Sequence, residues 1–487
     1  MTSREVIAVG VAALPAVAAF AVAVVPRRAI GGAAVAGAVV SAAAAGTFAA
    51  VTLATPTTAV ATVWLIVDPL AGILVAVIGA VGLASVLVSP SYLGTLGAGL
   101  VQPAKLPRLY YGLVFLFWAV LAGVPVIGNL GGAWLLVEAT TAASALLVGL
   151  SGKPRALEAG WKYLILTSLG LGVALLGIVL LAATAGGGLD ALSWNALAGI
   201  PAGGQNVLIA YVLLLVGLAA KIGWAPVHNW LPDAHSEAPA PVSALLSAAL
   251  LPTVLLVAWR SSRALAPAVG ATTARSVLVG FGLVSLAVAV PFLWRPLPWK
   301  RLLAYSSLEH MGVLALGVGF GGPLALAGVV VHIAGHAVAK ALGFYAAVPL
   351  LSHEPHAAGH PAGGISRTQP ALAATMGISL GALSGLPPSP LFVSEVLIVA
   401  GGFTVGRPWA AAVAAVLLSL GFLGLAHALL DTLAGRSRHA SHRRDAVGMR
   451  GVTVLTAVTV VVLLALTATA FWLPRSELAH TLAAEIR

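Results

Sequence analysis

Long uninterrupted apolar runs constrain the fold of this 487-residue chain more than any other feature of its sequence. Many of these runs reach roughly 18 residues or more, which is enough for an α-helix to cross the ~30 Å hydrocarbon core of a bilayer. Hydrophobic residues make up 60% of the chain and charged residues 8%, whereas a soluble domain carries about 25% charged residues. The sequence therefore predicts an all-α integral membrane protein with about fourteen transmembrane helices.

We number the predicted spans helix 1 to helix 14. They cover residues 5–25, 29–53, 64–88, 108–127, 130–150, 160–183, 206–225, 243–260, 272–294, 303–320, 323–351, 370–401, 407–431 and 451–473. The 55 glycines and the abundant alanine are typical of helices that pack closely on one another. Short loops between the spans leave no room for a soluble domain.

The loops carry most of the net charge of +11, and they indicate topology rather than nucleic-acid binding. Lys and Arg are concentrated in the loops that follow odd-numbered helices. The positive-inside rule then predicts a multi-pass protein of the plasma (inner) membrane with both termini on the non-cytoplasmic side. We interpret the first helix as retained, because it follows a single basic residue and has no obvious cleavage site.

The chain contains no cysteine, which excludes disulfides, iron–sulfur clusters and thiolate zinc sites. We therefore predict no cofactor in this chain and assign any electron transfer to a partner. Whether the chain is part of an oxidoreductase stays open at this point.

Ionisable residues inside the apolar runs are the most informative, since each costs at least about 2.5 kcal/mol at a helix centre. They are Asp68, Glu138, Lys162, Lys221, Glu309, His332, His336, Lys340 and Glu395. Asp68 and Lys162 are near helix ends, where snorkelling or a structural ion pair accounts for them. Glu138, Lys221 and Glu395 lie deeper in their spans, which favours a functional role.

Helix 11 carries His332, His336 and Lys340 at i, i+4 and i+8, a spacing that predicts one polar face. A histidine pair at this spacing is also compatible with a metal ion. No acidic third ligand is nearby in sequence, and an apolar bundle favours a proton wire. We therefore predict a proton relay and no metal site. We also interpret the loop histidines His353, His356 and His360 as solvated.

Prolines interrupt two spans close to ionisable residues. Helix 7 meets Pro226 five residues after Lys221, and helix 12 contains a proline-rich run, 386–390, before Glu395. Proline removes a backbone donor and clashes with the preceding turn, so each helix is expected to kink or break. A full break would expose free carbonyls and half-helix dipoles beside the ionisable group. The alternative is an ordinary proline kink.

The spacing of these residues also predicts an internal repeat. Lys221 and Glu395 lie 174 residues apart, and Glu138 and Glu309 lie 171 apart. A five-helix repeat, helices 4–8 and 9–13, gives this interval, and its odd number of helices makes the second copy inverted. We divide the chain into 1–107 (helices 1–3), 108–265 and 266–435 (the two half-channel repeats), and 436–487 (a basic loop and helix 14).

Several segments resemble the antiporter-like subunits of respiratory complex I, membrane-bound hydrogenases and Mrp antiporters. KIGWAPVHNWLPDAHSEAPAPVSALLSAALL (221–251) is similar to their helix 7–8 signature. Four further segments resemble the same superfamily: WLLVEATTAASALLVG (134–149), WKRLLAYSSLEHMGVLALGVGFG (299–321), HIAGHAVAKALGFY (332–345) and the broken helix before SEVL (394–397). VEATTAASALL together with SSLEHMG most resembles the F-type membrane subunit of hydrogenase-4 and formate hydrogenlyase. The resemblance covers residues from about 60 to 480.

The resemblance implies a role for each residue of the predicted relay. Glu138 and Lys221 become a modulating ion pair, Lys340 with His332 and His336 a central relay, and Glu395 the terminal exchange site. Accessory candidates are Asp68, Lys162, His228, Ser243, Ser247 and Glu309. The implied partners are other membrane subunits of a hydrogenase-4 or complex I-like assembly with a peripheral redox arm, besides the lipid bilayer.

Helix 8 departs from the family pattern. The family often places Lys or His there as a link between the half-channels, but SALLSAALLPTVLLVAW has neither and contains Pro252. Ser243, Ser247 or water would have to bridge this gap. Proton translocation in a redox-driven complex is thus the expected function. Two alternatives remain at this point: an Mrp-type cation/proton antiporter subunit, and a non-pumping scaffold of a redox or carbon-uptake complex.

Overall fold

The computed structural model of the protein describes residues 3–54, 60–94, 104–353, 364–435 and 449–484. The side chains of the loop histidines 353, 356 and 360 and the basic run 436–444 lie outside the described residues. The interpretations given for them stay predictions.

The described residues form the predicted helical bundle. Thirteen helices are long and apolar enough to cross a membrane, and Pro370–Leu383 and Pro390–Thr404 are two shorter apolar helices. The two short ones are the halves of helix 12, here 12a and 12b, so the prediction of about fourteen transmembrane helices is confirmed.

The remaining bounds are as follows. Helices 1–6 are Ser3–Val24, Ile30–Ala54, Pro69–Leu93, Leu106–Gly123, Leu130–Val148 and Pro154–Thr184. Helix 7 comprises Gln205–Ile222 (7a) and Trp230–Glu237 (7b), and helix 8 spans Ala240–Val269. Helices 9, 10, 11, 13 and 14 are Ala271–Leu293, Trp299–Phe320, Pro323–His353, Pro408–Ala434 and Met449–Ala470. Short helices at Trp194–Ala198, Ile365–Thr368 and Glu477–Ala484, and an antiparallel pair of two-residue strands, Val60–Ala61 and Ile66–Val67, complete the fold.

Helix 8 lies at the centre of the bundle. In the apolar stretch of helix 8, 100% of the residues are buried inside the protein. The corresponding share is 94% for helix 10 and 17% for helix 14. Helices 1, 2, 6 and 13 are also largely open to their surroundings. The outer helices thus meet lipid or neighbouring proteins, and the inner helices can shelter polar side chains.

The break in helix 7 begins earlier than its proline predicted. Helix 7a ends at Ile222, and Gly223 adopts φ 81°, a left-handed conformation that favours glycine. The backbone N–H of Ala225 donates to Ser285 Oγ at 3.1 Å, and Trp224 Nε1 donates to the carbonyl of Met311 at 2.8 Å. Helices 9 and 10 therefore satisfy polar groups of the broken segment.

The break in helix 12 lies where the proline-rich run predicted it. Helix 12a ends at Leu383, and Gly385 turns the chain with φ 74°. Ser389 caps helix 12b by accepting from the backbone N–H of Phe392 at 3.2 Å, and Pro390 occupies the first helical position. Proline suits that position because its missing N–H would have no partner there.

Both predicted repeats share one order of helices. The third member of each repeat, helix 6 or helix 11, is 31 residues long, and the fourth member, helix 7 or helix 12, is broken. This correspondence fits the five-helix repeat. The division of the chain into four parts stays a prediction.

Helix 8 contains a widened π-helical segment, Leu245–Leu250, just before Pro252. Proline cannot donate to the carbonyl one turn earlier and its ring crowds that carbonyl, so a wider turn relieves the conflict. Ser247 lies inside the π segment.

Asp68 anchors helix 3 to helix 8. One carboxylate oxygen caps helix 3 by accepting from the N–H of Ala71 at 2.7 Å, and the other accepts from Arg260 Nη2 at 2.8 Å. Arg260 also donates to the carbonyl of Pro125 at 2.7 Å. Both partners of the ion pair are buried, so this accessory candidate has the geometry of a structural ion pair.

Asp68→Asn should lower the free energy of unfolding by about 3–5 kcal/mol, since it leaves a buried Arg260 without its counter-charge. Asp68→Ala also removes the helix cap, which asparagine keeps. It should therefore lower the free energy of unfolding by about 1 kcal/mol more than Asp68→Asn does. Thermal unfolding in detergent measures both effects. The double variant Asp68→Leu/Arg260→Met should recover most of the loss. Wild-type stability of Asp68→Asn would contradict the structural role.

Candidate functional site

Lys221 is completely buried in the last turn of helix 7a. Its ammonium donates to Thr141 Oγ1 of helix 5 at 2.7 Å and to the hydroxyl of Tyr163 of helix 6 at 2.5 Å. Lys221 lies in the last turn of helix 7a, where the helix dipole favours a positive charge. Two hydroxyls thus hold the lysine, and no carboxylate of the described residues forms an ion pair with it.

Glu138 does not contact Lys221, although the resemblance implied an ion pair. One oxygen of Glu138 accepts from Ser168 Oγ of helix 6 at 2.6 Å, and the other is buried without a hydrogen-bond partner among the described residues. No ion pair within 4.0 Å joins the two described side chains. Thr141, one turn further along helix 5, takes the place beside the ammonium. The charge of Glu138 still acts on Lys221 through space.

Lys340 lies completely buried on helix 11 in a similar environment. Its ammonium donates to the carbonyl of Leu303 at 2.6 Å and to Ser306 Oγ, both on helix 10. Lys221 in the first half of the bundle and Lys340 in the second are therefore both completely buried and held through neutral oxygen atoms.

The histidines of helix 11 join a third histidine that the sequence analysis missed. His332 and His336 have ring centroids 6.3 Å apart and so share the predicted face. His310 of helix 10 lies 5.1 Å from the His332 ring and 5.2 Å from the His336 ring. All three are buried. The available signal was its position directly after Glu309 in SSLEHMG.

Glu395 meets this cluster from helix 12b. His310, His332 and Glu395 each offer a ligand atom, and these atoms all lie within 4.8 Å of one another. Glu395 packs against the break in helix 12, where a Cβ added at Gly385 would lie 2.8 Å from its Oε2. Three helices therefore bring together residue types that can exchange a proton or bind a metal ion.

Glu309 of helix 10 lies within electrostatic range of both Lys340 and Glu395. It is buried, and one of its oxygens has no hydrogen-bond partner in the described part of the chain. It packs against helix 13, where a Cβ at Gly421 would lie 1.9 Å from Oε1.

A further buried histidine, His235 of helix 7b, lies between the two halves and was also missed. It stacks on Phe344 of helix 11 with 5.3 Å between ring centroids, and Lys300 and Lys340 lie within electrostatic range of it. Neither of its ring nitrogens has a hydrogen-bond partner among the described residues. The available signal was its position in LPDAHSEAP, which is part of the helix 7–8 signature (221–251).

The two serines of helix 8 that are accessory candidates take different positions. Ser247 shares a hydrogen bond of 2.7 Å with Ser307, which follows the Ser306 that binds Lys340. Ser243 donates to the backbone carbonyl of His235 at 2.9 Å.

Two accessory candidates lie away from these clusters. Lys162 is about half exposed and pairs with Glu158 at 2.6 Å and with Asp233 at 3.4 Å. Asp233 also pairs with Arg301 at 2.6 Å. His228 is half-buried in the loop between helices 7a and 7b.

Comparison with known proteins agrees with this architecture. Residues 127–422 match the family model described as NADH:quinone oxidoreductase/Mrp antiporter, TM. The chain is 31% identical over 366 residues to the hydrogenase-4 component F homolog of Methylacidiphilum infernorum, an alignment that covers 73% of this chain and 76% of that protein. This relative confirms the resemblance indicated by the motifs.

Two solved structures show the same fold. A chain of the Mrp complex from Dietzia sp. DQ12-45-1b superposes with a TM-score of 0.85 at 20% identity, covering 100% of this chain and 98% of that chain. A chain of respiratory complex I from Thermus thermophilus superposes with a TM-score of 0.81 at 23% identity, covering 99% and 100%. With the match to the family model over more than half its length, the chain belongs to the NADH:quinone oxidoreductase/Mrp antiporter membrane family, as an antiporter-like membrane subunit.

Proposed function

We propose that this chain translocates protons as a subunit of a redox-driven membrane complex, of hydrogenase-4, formate hydrogenlyase or NADH-quinone oxidoreductase type. Its partners are other membrane subunits that connect it to a peripheral redox arm. The observation that carries the proposal is a series of ionisable groups inside the bundle. Lys221, His235, Lys340 and the three clustered histidines are buried, and Glu395 beside them is half-buried. Charged or protonatable side chains at membrane depth mark proton paths because their burial is otherwise costly.

The surroundings of the two lysines support proton exchange. A lysine in contact with a carboxylate keeps its proton, because the opposite charge stabilises the ammonium. Lys221 and Lys340 bind neutral oxygens instead. Their charged forms therefore depend on more distant charges, Glu138 for the first and Glu309 for the second.

The mechanism has three steps. A redox event in a partner changes the field or the water access near Glu138 and Lys221. Lys221 then releases its proton inward, because loss of a favourable charge and of solvent both disfavour an ammonium. The proton passes to Lys340 and the histidine cluster and leaves through Glu395 to the outside. The groups titrate as one coupled set.

His235 is the group we assign to the link between the two halves. It supplies a base at the centre of the bundle, where helix 8 has no Lys or His. A histidine can accept a proton on one ring nitrogen and release it from the other. The hydrogen-bonded pair Ser247–Ser307 is the competing link.

Protons fit this set of side chains better than sodium ions do. Hard metal cations prefer oxygen ligands, whereas the central groups of the path are lysine and histidine nitrogens. An Mrp-type exchange of sodium would need several oxygen ligands close to Glu395 or Glu138, and Ser168 Oγ is the one hydrogen-bond partner of Glu138 among the described residues. A proton is therefore the proposed substrate.

Lys221→Ala and Glu395→Gln, at opposite ends of the path, should each reduce proton uptake to the background of empty vesicles. Alanine has no proton to donate, and glutamine keeps the shape of the carboxylate but carries no exchangeable acid. Glu138→Ala should retain part of the activity, because Glu138 acts on Lys221 from a distance. The measurement is a pH-sensitive dye in vesicles that contain the reconstituted native complex.

Lys162→Ala is the matched control, because it removes a lysine of the same helix bundle that lies at the surface. This variant should pump normally. A Glu138→Ala complex that pumps less than the Lys221→Ala complex would show that the assigned roles are wrong. Normal pumping by Glu395→Gln would exclude the proposed exit.

The link is tested by comparing His235→Gln with Ser247→Ala in the same vesicles. Glutamine is close to histidine in size but cannot carry a proton, so His235→Gln should stop translocation. Ser247→Ala should leave more than half of the activity. The reverse result would assign the link to the Ser247–Ser307 pair.

We further propose that the protein lies in the plasma (inner) membrane with both termini on the non-cytoplasmic side. The chain has no native cysteine, so single cysteines report their side directly. Lys153→Cys, in an exposed turn after helix 5, should react with an impermeant thiol reagent from the cytoplasm. Asp190→Cys, in an exposed turn after helix 6, should react from outside. Reaction of both from one side would contradict this topology.

A further inference from the structure

The histidine cluster has the composition of a transition-metal site. His310, His332 and Glu395 come from helices 10, 11 and 12b, and their ligand atoms lie within 4.8 Å of one another. Two imidazoles and a carboxylate are a common ligand set for zinc. The sequence argument against a metal was the lack of an acidic third ligand nearby, and the fold supplies that ligand from another helix.

The two histidine nitrogens are close to the required separation. His310 Nδ1 lies 3.1 Å from His332 Nε2. In a tetrahedral site with Zn–N bonds of about 2.0–2.1 Å, two nitrogen ligands lie roughly 3.3–3.4 Å apart. A small movement of either ring would therefore admit the ion.

The hydrogen bonds around His332 give it the tautomer that a metal needs. Ser394 donates its hydroxyl proton to the carbonyl of Leu391 at 2.8 Å, so its oxygen accepts from His332 Nδ1, also at 2.8 Å. The proton of His332 is then on Nδ1, and the lone pair of Nε2 points toward His310. Such a partner behind a ligating histidine is typical of metal sites.

His310 can become the second ligand by a change of tautomer. Facing the lone pair of His332, His310 Nδ1 carries the proton of the hydrogen bond between them. The ion takes the place of this proton, which moves to His310 Nε2, a nitrogen that is buried without a hydrogen-bond partner among the described residues. The carbonyl of Leu383, at the end of helix 12a, lies beside this ring. The two histidines together neither gain nor lose a proton, whereas Glu395 binds as the carboxylate and releases to solvent any proton that it carries.

His336 completes the surroundings of the ion. It is buried, and neither of its ring nitrogens has a hydrogen-bond partner in the described part of the chain. Its ring centroid lies 5.2 Å from that of His310. A water molecule in the fourth position of a three-ligand zinc site would give His336 a partner.

We propose that His310 Nδ1, His332 Nε2 and a carboxylate oxygen of Glu395 form a binding site for one Zn²⁺ ion. Glu395 is half-buried beside the break in helix 12, and this side gives the ion its entry. Occupation of the site removes two histidines and the exit carboxylate from proton exchange. That consequence rests on the proposed function, whereas binding itself does not.

The test is a titration of the purified full-length chain in detergent with Co²⁺ as a spectroscopic probe, followed by displacement with Zn²⁺. The loop histidines 353, 356 and 360 are replaced by alanine beforehand to remove a competing set of ligands. We expect one ion per chain with the strong visible absorption of four-coordinate Co²⁺. His310→Gln and Glu395→Gln should each abolish this spectrum. Ser394→Ala should weaken the affinity roughly 10–100-fold, as loss of a group supporting a ligand does.

His427→Gln is the matched control, because His427 is an exposed histidine of helix 13 outside the cluster. It should bind as the parent chain does. Thermal unfolding without metal identifies any variant that fails to fold. The spectrum of the parent chain tests the site even if a variant does not fold. A parent spectrum of six-coordinate Co²⁺, or one unchanged in folded His310→Gln, would overturn the site.

Zinc inhibition separates this site from the proposed function. If Zn²⁺ binds as described and blocks proton uptake by the reconstituted complex, both are supported. If Zn²⁺ binds and proton uptake continues, the site stands and the proposed exit fails. If no four-coordinate ion binds, the site fails while the tests of Lys221 and Glu138 still decide the proposed function.

Discussion

The exclusion of water from the hydrocarbon core is the constraint on which the rest of this structure depends. Every backbone polar group at membrane depth needs a partner inside the protein. The break in helix 7 is therefore held by Ser285 and by the carbonyl of Met311. Hydroxyls contact the ammonium groups of Lys221 and Lys340. The same constraint places the ionisable side chains toward helices 8, 10 and 11, the most enclosed part of the bundle.

The two helix breaks present opposite ends of helix dipoles to the path. Lys221 is in the last turn of a half-helix, whose partial negative charge favours an ammonium. Glu395 is in the second turn of helix 12b, nearer the positive end of a half-helix. A lysine at one break and a carboxylate at the other thus match the local field. Lys221 precedes its break and Glu395 follows its break, so the two residues occupy different positions in the two repeats.

The sequence was sufficient to predict the helices, the break in helix 12 and the shared face of His332 and His336, because each depends on local pattern. It was not sufficient for the pairing of side chains between helices. Thr141, one turn from Glu138, takes the place beside Lys221, and that choice depends on how helices 5, 6 and 7 rotate against one another. His310 and His235 were missed for the same reason, since each becomes part of a cluster through residues distant in sequence.

The π segment of helix 8 links the polar path to the anchor of the bundle. Residues of an α-helix follow one another at about 100° around the axis, so the extra residue in a π turn rotates all that follows it. Ser247 lies within this turn, and Arg260, which holds helix 3, lies beyond it. The π turn therefore fixes the rotation of the C-terminal part of helix 8 relative to its N-terminal part. A tighter or wider turn would change the direction of Ser247 around the helix axis relative to the Asp68–Arg260 ion pair. The π segment therefore sets how the proton path is oriented relative to the N-terminal helices.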